Sequence, residues 1–193
     1  MCGRYALFAE DELTEMREIL AEINRRYGNA GAEQMGRGEI FPTNRLPVLA
    51  APRREREALL LKWGFPRPGG KGVVINARSE TAARRGMFRD AFQRRRCLVP
   101  ASGYYEWKRD DKTKFFFRDP GRLLYMAGLY REEEGGSFVI LTREAAPDQA
   151  FIHERMPVIL PRAQQRRWLL AGGEEAEEIL GMPPPPLAFD PVG

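Results

Sequence analysis

The sequence is poor in the residues that build metal sites and disulfide frameworks. Its 193 residues include two cysteines, Cys2 and Cys97, and one histidine, His153. Two cysteines are too few for a disulfide framework, and a single imidazole without a closely spaced cysteine pair is a poor start for a zinc site. The sequence therefore predicts no metal ion and no other cofactor.

Long apolar runs are missing as well. No stretch approaches the ~20 apolar residues that a membrane-spanning helix needs. Charges at Arg4, Glu10, Asp11 and Glu12 interrupt any resemblance of the N-terminus to a signal peptide. We expect a cytoplasmic protein without a membrane partner. A hydrophobic content of 43% over this length is enough for one domain, residues 1–193, with a substantial core.

Charge is distributed unevenly, although the formal net charge is only +4. Acidic residues are concentrated in 10–22 and 174–178, whereas arginines are concentrated in 78–96. An arginine cluster is typical of a phosphate-binding surface. A solvated face without a partner would have the same composition. The arginines in question are Arg78, Arg84, Arg85, Arg89, Arg94, Arg95 and Arg96.

Hydrophobic periodicity predicts an α+β fold with a curved, mostly antiparallel, barrel-like sheet system and peripheral helices. Strand segments follow one another without regular alternation with helices, which favours antiparallel pairing. Glycines between 28 and 38 predict a long loop, and four prolines at 183–186 predict an extended tail. Strands are predicted at 3–8, 46–51, 58–63, 73–75, 96–99, 103–108, 114–118, 123–130, 137–142 and 158–160. Helices are predicted at 11–24, 79–85, 87–93, 162–171 and 174–180.

Position 2 is the most informative in the chain. Met1 is usually removed before a side chain as small as that of Cys2, which would then carry an α-amine and a thiol on adjacent carbons. Their ordinary pKa values are about 8 and about 8.5, so both are partly deprotonated at neutral pH. Such an amine condenses with an aldehyde to a Schiff base, and the thiol can close onto it as a thiazolidine. The alternative is a small buried hydrophobic residue near a strand start.

Three further segments carry usable polar chemistry. Asn76 follows a hydrophobic strand, where functional groups are often presented, although a turn or cap role fits equally. Tyr104 and Glu106 share one face of a strand, and a carboxylate among aromatic rings is suited to proton transfer. A surface glutamate is the alternative interpretation. His153 is the only imidazole, so any imidazole chemistry must use it, although a lone histidine is more often structural.

Four of these segments occur in an order that resembles the SOS response-associated peptidase family, whose members are also described as abasic-site processing proteins. The segments are MCGR at residue 1, INARSE at 75, RCLVPASGYYEW at 96 and HERMPVIL at 153. The resemblance extends from residue 1 to about residue 162.

The resemblance implies a covalent reaction with abasic sites in single-stranded DNA, which shields the lesion during the DNA damage response. In that family Met1 is lost and the cysteine bonds to the ring-opened sugar aldehyde through a thiazolidine. The working residues implied are Cys2, Asn76, Glu106 and His153. The residues implied at the DNA-binding surface are Arg4, Pro42, Trp63, Arg78, Arg85, Trp107 and Arg155.

Each implied residue has a role in that chemistry. Glu106 would move protons during imine formation, His153 would assist sugar ring opening at O4′, and Asn76 would orient the amine or the sugar. Arginines would neutralise phosphates and aromatic rings would stack on bases. Beyond the damaged strand, replication-fork proteins are candidate partners. We expect a monomer that is nucleoid-associated when bound to DNA.

The sequence departs from the family at Glu39, near which many members have an asparagine. An acid there would repel a phosphate. Family members also continue beyond a segment like 189–192, which predicts that a tail completing the sheet or the DNA groove is absent.

Other functions remain open at this stage. An N-terminal-nucleophile amidohydrolase also begins with Cys-Gly, but it is usually attached to a synthase domain, for which this chain is too short. A thiol autopeptidase that releases Met1, a non-covalent single-stranded DNA-binding module, and a lyase acting through the same Schiff base are the further alternatives.

Overall fold

The computed structural model describes residues 2–8 and 14–192. Met1 and the first residues of the predicted helix 11–24, among them Leu13, lie outside the described residues. The strands are β1 (Arg4–Leu7), β2 (Gly38–Ile40), β3 (Arg45–Ala50), β4 (Glu57–Trp63), β5 (Phe65–Pro66), β6 (Val73–Val74), β7 (Asn76–Arg78), β8 (Arg96–Ala101), β9 (Gly103–Trp107), β10 (Lys114–Arg118), β11 (Leu124–Arg131), β12 (Ser137–Glu144), β13 (Arg155–Pro157) and β14 (Ala188–Pro191). The helices are α1 (Thr14–Glu33), α2 (Ser79–Ala82), α3 (Gly86–Arg94), α4 (Arg162–Leu170) and α5 (Gly173–Gly181), with a 3-10 turn at Glu133–Gly135.

The larger sheet closes on itself. Strands β11, β8, β3, β4 and β12 pair in that order, and β12 pairs again with β11, so five strands form a ring. Strand β12 runs parallel to β4 and β7 and antiparallel to β11 and β13. A second sheet of five strands, β14-β10-β9-β1-β2, is antiparallel at every pairing. This architecture confirms the predicted α+β fold with a curved, mostly antiparallel, barrel-like sheet system.

The two sheets are joined by a buried aromatic contact near the start of the chain. Tyr5 on β1 packs edge-on against Trp63 on β4, with ring centroids 5.1 Å apart. Both side chains are fully buried, and the Trp63 indole N–H donates a hydrogen bond to the carbonyl of Ile75 at 3.0 Å. Burying a large aromatic side chain stabilises a fold by about 2–3 kcal/mol. The contact therefore fixes the start of the chain against the closed sheet.

Helix α1 is longer than its sequence pattern predicts. Met16, Ile19 and Ile23 form its buried stripe, as the helical spacing indicates. Gly28 breaks the helix with a left-handed φ of 67°, but helical backbone resumes and continues to Glu33. The predicted loop over 28–38 is therefore wrong for its first half. A glycine tolerates a positive φ without steric cost, so it marks a kink here instead of a helix end.

Two other expectations need correction. The predicted helix over 79–85 ends at Ala82. The strand predicted at 158–160 lies instead at β13, and only an isolated bridge joins Ile159 to Met126. Strand β14 lies outside every predicted strand. It pairs with β10, and Phe189 stacks on Phe117 with centroids 5.2 Å apart.

Candidate functional site

The predicted working residues come from four separate parts of the chain and meet at one place. Cys2 precedes β1, Asn76 begins β7, Glu106 lies on β9, and His153 lies in the turn before β13. The side-chain amide of Asn76 donates a hydrogen bond to the carbonyl oxygen of Cys2 at 2.8 Å. This bond joins the start of the chain to the first residue of β7, 74 residues later. A simple turn or cap role for Asn76 is therefore wrong.

The Cys2 thiol is buried, as in the alternative of a small hydrophobic residue near a strand start. Its residue has no solvent-accessible surface, and Sγ lies 3.9 Å from the carbonyl oxygen of Arg4. Burial raises the pKa of the Cys2 thiol from 9.0 to about 12, and the nearby charge of Glu106 acts in the same direction. The expectation of a partly deprotonated thiol concerns the chain without Met1 and stays a prediction. The buried thiol needs a base before it can act as a nucleophile.

Glu106 lies on the same buried side of β9 as Tyr104. The two residues are 7% and 1% exposed, so the prediction that they share a face is confirmed and the surface-glutamate alternative is wrong. The Trp107 amide donates to Glu106 Oε1 at 3.3 Å, and Tyr104 donates its phenol proton to Gln149 Oε1 at 3.2 Å. A small pocket at this point is lined by Tyr104, Glu106, Gln149 and His153, among others.

The turn between β12 and β13 fixes the tautomer of His153. Its Nδ1 accepts a hydrogen bond from the Arg155 amide at 3.0 Å. A neutral imidazole that accepts at Nδ1 carries its proton on Nε2. Burial lowers the pKa of His153 below 6.5, although the charge of Glu106 opposes this effect. At neutral pH His153 therefore is an uncharged side chain whose Nε2–H is a hydrogen-bond donor.

The residues predicted to contact DNA differ in how far their side chains are exposed to solvent. Arg78 and Arg85 are exposed, and Pro42 and Trp107 are half-buried. Trp63 has no exposed surface, so its prediction as a surface residue is wrong. Its position was misread because a tryptophan at a strand end fits a stacking surface and a core equally well.

Arg155 is already paired within the protein. Its guanidinium donates to both carboxylate oxygens of Glu80, at 2.6 and 2.9 Å, and to the Thr142 carbonyl at 2.7 Å. Only 12% of the Arg155 side chain is exposed. The hydrogen bonds from Arg155 hold the pKa of Glu80 below its usual range despite partial burial. Arg155 therefore positions the turn that carries His153, and its charge is largely balanced by Glu80.

Three residues around Arg4 were not predicted as part of the site: Phe41, Tyr105 and Lys114. The Arg4 guanidinium lies over the Phe41 ring at 3.7 Å and over the Trp107 ring at 5.6 Å. The ammonium group of Lys114 lies over the Tyr105 ring at 4.1 Å. One feature could have indicated Lys114: the β9–β10 hairpin places it directly opposite Trp107, which was predicted to contact DNA.

Glu39 is neutralised within this group. Arg4 donates to its Oε1 at 2.8 Å, and Lys114 donates to Oε1 and Oε2 at 2.9 and 3.0 Å. Burial alone would raise the pKa of Glu39, but the hydrogen bonds from Lys114 and Arg4 outweigh it and lower that pKa. A carboxylate that was expected to repel a phosphate is thus held by two cations.

Among the parts of the chain that the structure describes, no helix is long and apolar enough to cross a membrane. Across these same residues, no group of three or more histidine, cysteine or acidic side chains is arranged to hold a metal ion.

The sequence matches one protein family along almost its whole length. The family model for SOS response associated peptidase (SRAP) matches residues 1–192. The abasic site processing protein YedK of Escherichia coli is 32% identical over 191 residues, which cover 93% of this chain and 85% of that protein. The abasic site processing protein YoqW of Bacillus subtilis is 31% identical over 184 residues, which cover 88% of this chain and 80% of that protein.

Solved structures share the fold. A phage-related protein of Bordetella bronchiseptica superimposes with a TM-score of 0.75 at 28% identity, over 99% of this chain and 94% of its own.

Proposed function

Because the chain belongs to the SOS response associated peptidase family, we propose that it senses abasic sites in single-stranded DNA and captures them covalently through Cys2. Relatives named as abasic site processing proteins support the choice of lesion. The observation that carries the proposal is the hydrogen bond from Asn76 to the Cys2 carbonyl, which fixes the start of the chain where the charge of Glu106 acts on the Cys2 thiol.

The reaction begins when Met1 is removed, because only then does Cys2 carry an α-amine. That amine adds to C1′ of the open-chain sugar aldehyde and gives a carbinolamine. Loss of one water gives an imine, and addition of the thiol across the C=N bond gives a thiazolidine. The sulfur bonds to C1′, and the thiol proton ends on nitrogen. One water leaves overall, and no oxidant or reductant is needed.

In the proposed order of steps the amine attacks before the thiol. While Met1 is attached, burial raises the pKa of the Cys2 thiol to about 12, so this thiol carries little thiolate at neutral pH. Glu106 is the buried carboxylate of the same site. It donates a proton to the departing hydroxyl of the carbinolamine and takes the proton of the resulting iminium. It then relays the thiol proton to nitrogen as sulfur closes on the imine.

His153 and Asn76 act by hydrogen bonding. The Nε2–H of His153 donates to O4′ of the sugar and assists ring opening, while the Arg155 amide occupies Nδ1. Asn76 fixes the Cys2 carbonyl and thereby the direction of the α-amine. Its buried Oδ1 has no hydrogen-bond partner among the described residues, which leaves it able to accept from the amine or a sugar hydroxyl.

Binding of the strand depends on exposed charge and on one aromatic ring. Arg78 and Arg85 neutralise phosphates beside the site, which makes binding dependent on salt. Trp107 stacks on a flanking base without reading sequence. Strand cleavage by β-elimination competes from the same imine, and closure of the thiazolidine diverts the imine from that path.

The test is a crosslinking assay read by intact mass. Abasic single-stranded DNA should give a denaturation-resistant adduct whose mass equals protein without Met1 plus DNA minus one water. Undamaged DNA should give none. A tag that blocks the Cys2 amine should abolish the adduct, and normal crosslinking by such a blocked chain would refute the mechanism.

Two variants separate amine from thiol chemistry. Cys2→Ala keeps an α-amine, so it should form an imine that borohydride traps but no stable adduct without the reductant. Cys97→Ala is the matched control because Cys97 is the other buried cysteine, and it should crosslink like the parent protein.

A further inference from the structure

A cluster of opposite charges lies beside the start of the chain, and the proposed chemistry does not use it. We call Arg4, Glu39 and Lys114 the Glu39 cluster. Its three side chains come from three strands of the second sheet, β1, β2 and β10. Both cations bond to the same carboxylate at 2.8–3.0 Å, and each also lies over an aromatic ring.

The Glu39 cluster has the geometry of an anion-binding site, which we call the seat. Two donors converge on a pair of negatively charged oxygens, an arrangement that a phosphate group also satisfies. The rings of Phe41 and Trp107 flank the Arg4 guanidinium, and they hold its plane while limiting its contact with water. About a quarter of the Arg4 and Lys114 side-chain surface remains exposed, so the seat is open to a ligand.

The position of the seat relates it to the reactive residue. Arg4 is two residues from Cys2, so their Cα atoms are at most about 7 Å apart. An anion held by the Arg4 side chain would then belong to the same strand as a sugar that reacts at Cys2. A backbone phosphate is the anion that necessarily accompanies such a sugar.

We propose that Glu39 is a built-in competitor: when DNA is absent, its carboxylate occupies the seat between Arg4 and Lys114 that a backbone phosphate would take. The inference rests on the proposed function, since it assumes a DNA strand at Cys2. A phosphate entering the seat must displace the carboxylate or share its two cations. Intact single strands therefore gain little from this contact, and retention of a strand depends on the covalent bond at the lesion.

The rival interpretation is that Glu39 only organises Arg4 and Lys114 for binding. The two interpretations predict opposite signs for the loss of its charge. A competitor that is removed leaves two cations free for phosphate, so binding strengthens. An organiser that is removed leaves two mobile cations, so binding weakens or stays the same.

The experiment measures non-covalent binding in a Cys2→Ala background with an undamaged oligothymidylate as the probe. Glu39→Gln keeps the size of the side chain and removes its charge. We expect affinity at low salt to rise about threefold or more, on the scale of a released surface ion pair. The slope of log affinity against log salt should steepen by about 0.7 for the added phosphate contact.

Glu177→Gln is the matched control because Glu177 is exposed on α5 and its loss changes the net charge equally. It should leave the salt slope unchanged. Glu39→Gln combined with Lys114→Ala should lose the gain, because one of the two cations of the seat is missing.

Equal or weaker binding by Glu39→Gln would overturn the inference. If that happens while the unmutated protein still crosslinks abasic DNA, the proposed function stands and only the competitor role fails. If no form of the protein binds the oligothymidylate and abasic DNA gives no adduct, both proposals fail.

Discussion

Asn76 holds the carbonyl oxygen of Cys2 at 2.8 Å through its side-chain amide, and this bond connects the closed sheet to the first described residue of the chain. Asn76 is half-buried at the start of β7, which is itself held by parallel pairing to the central strand β12. A terminal residue would otherwise be free to rotate. The start of the chain is therefore positioned by a strand that pairs with β12 of the closed sheet.

Replacing Asn76 should slow crosslinking without unfolding the protein. Asn76→Ala removes a hydrogen bond whose net value is about 0.5–1.5 kcal/mol, so we expect a rate about three- to tenfold lower. Asn76→Asp keeps the shape but replaces the donor with a carboxylate facing the Cys2 carbonyl, and it should be at least as slow. Single-turnover adduct formation at saturating DNA measures both rates. A parent-like rate in Asn76→Asp would contradict this role.

His153 should make stability depend on pH in a predictable direction. Its pKa is lowered in the folded state, chiefly by burial, so the unfolded chain binds the proton more readily. Stability is therefore fully present above pH 6.5 and decreases as the pH falls below 6.5 toward the folded-state value. Urea unfolding across this range should show the decrease in the parent protein.

His153→Gln is the matched variant for that experiment, because it keeps an N–H donor and loses the titration. The difference in unfolding free energy between parent and variant should change with pH only between pH 6.5 and the lower pKa of His153 in the folded protein. A difference that is constant with pH would show that His153 has an ordinary pKa.

The fold was largely predictable because its strands and helices rest on local patterns. Alternating hydrophobicity marked strands such as β9, and the burial of Tyr104 and Glu106 follows from their shared face. The four ordered segments at residues 1, 75, 96 and 153 identified the family from sequence. These signals depend on side-chain order, which the sequence displays directly.

What could not be predicted depends on contacts between distant residues. The burial of Cys2 and the pairing of Arg155 with Glu80 arise only when separate strands assemble. Trp63 was misplaced because its neighbours Tyr5 and Phe138 are far from it in sequence. The prediction for helix α1 is too short because a glycine predicts a helix end, whereas here the helical backbone resumes after the kink at Gly28.

Arg96 should be a major determinant of stability. Its buried guanidinium donates to main-chain carbonyls at the ends of α3 and α4, including that of Trp168 at 2.8 Å and that of Gln93 at 3.2 Å. Arg96→Met would leave these buried acceptors unsatisfied, at a cost of about 3 kcal/mol or more. Arg94→Met is the control because Arg94 is exposed, and it should change stability by about 0.5 kcal/mol or less. Equal midpoints of thermal unfolding for the two variants would contradict this assignment.

The thiol of Cys2 should resist alkylation in the folded protein. Its pKa is raised from 9.0 to about 12, so the thiolate fraction at neutral pH falls about a thousandfold. Burial adds a steric barrier, because no surface of Cys2 reaches solvent. Iodoacetamide at neutral pH should therefore label Cys2 far more slowly than in urea, as measured by peptide mass.

Cys97 provides an internal comparison, since it is equally buried and its pKa is raised by burial alone. If Cys2 in the protein without Met1 reacts at the rate of an unfolded cysteine while Cys97 stays protected, the thiol is uncovered on processing. The amine would then no longer have to attack first, whereas parallel protection of both cysteines supports the order of steps proposed here.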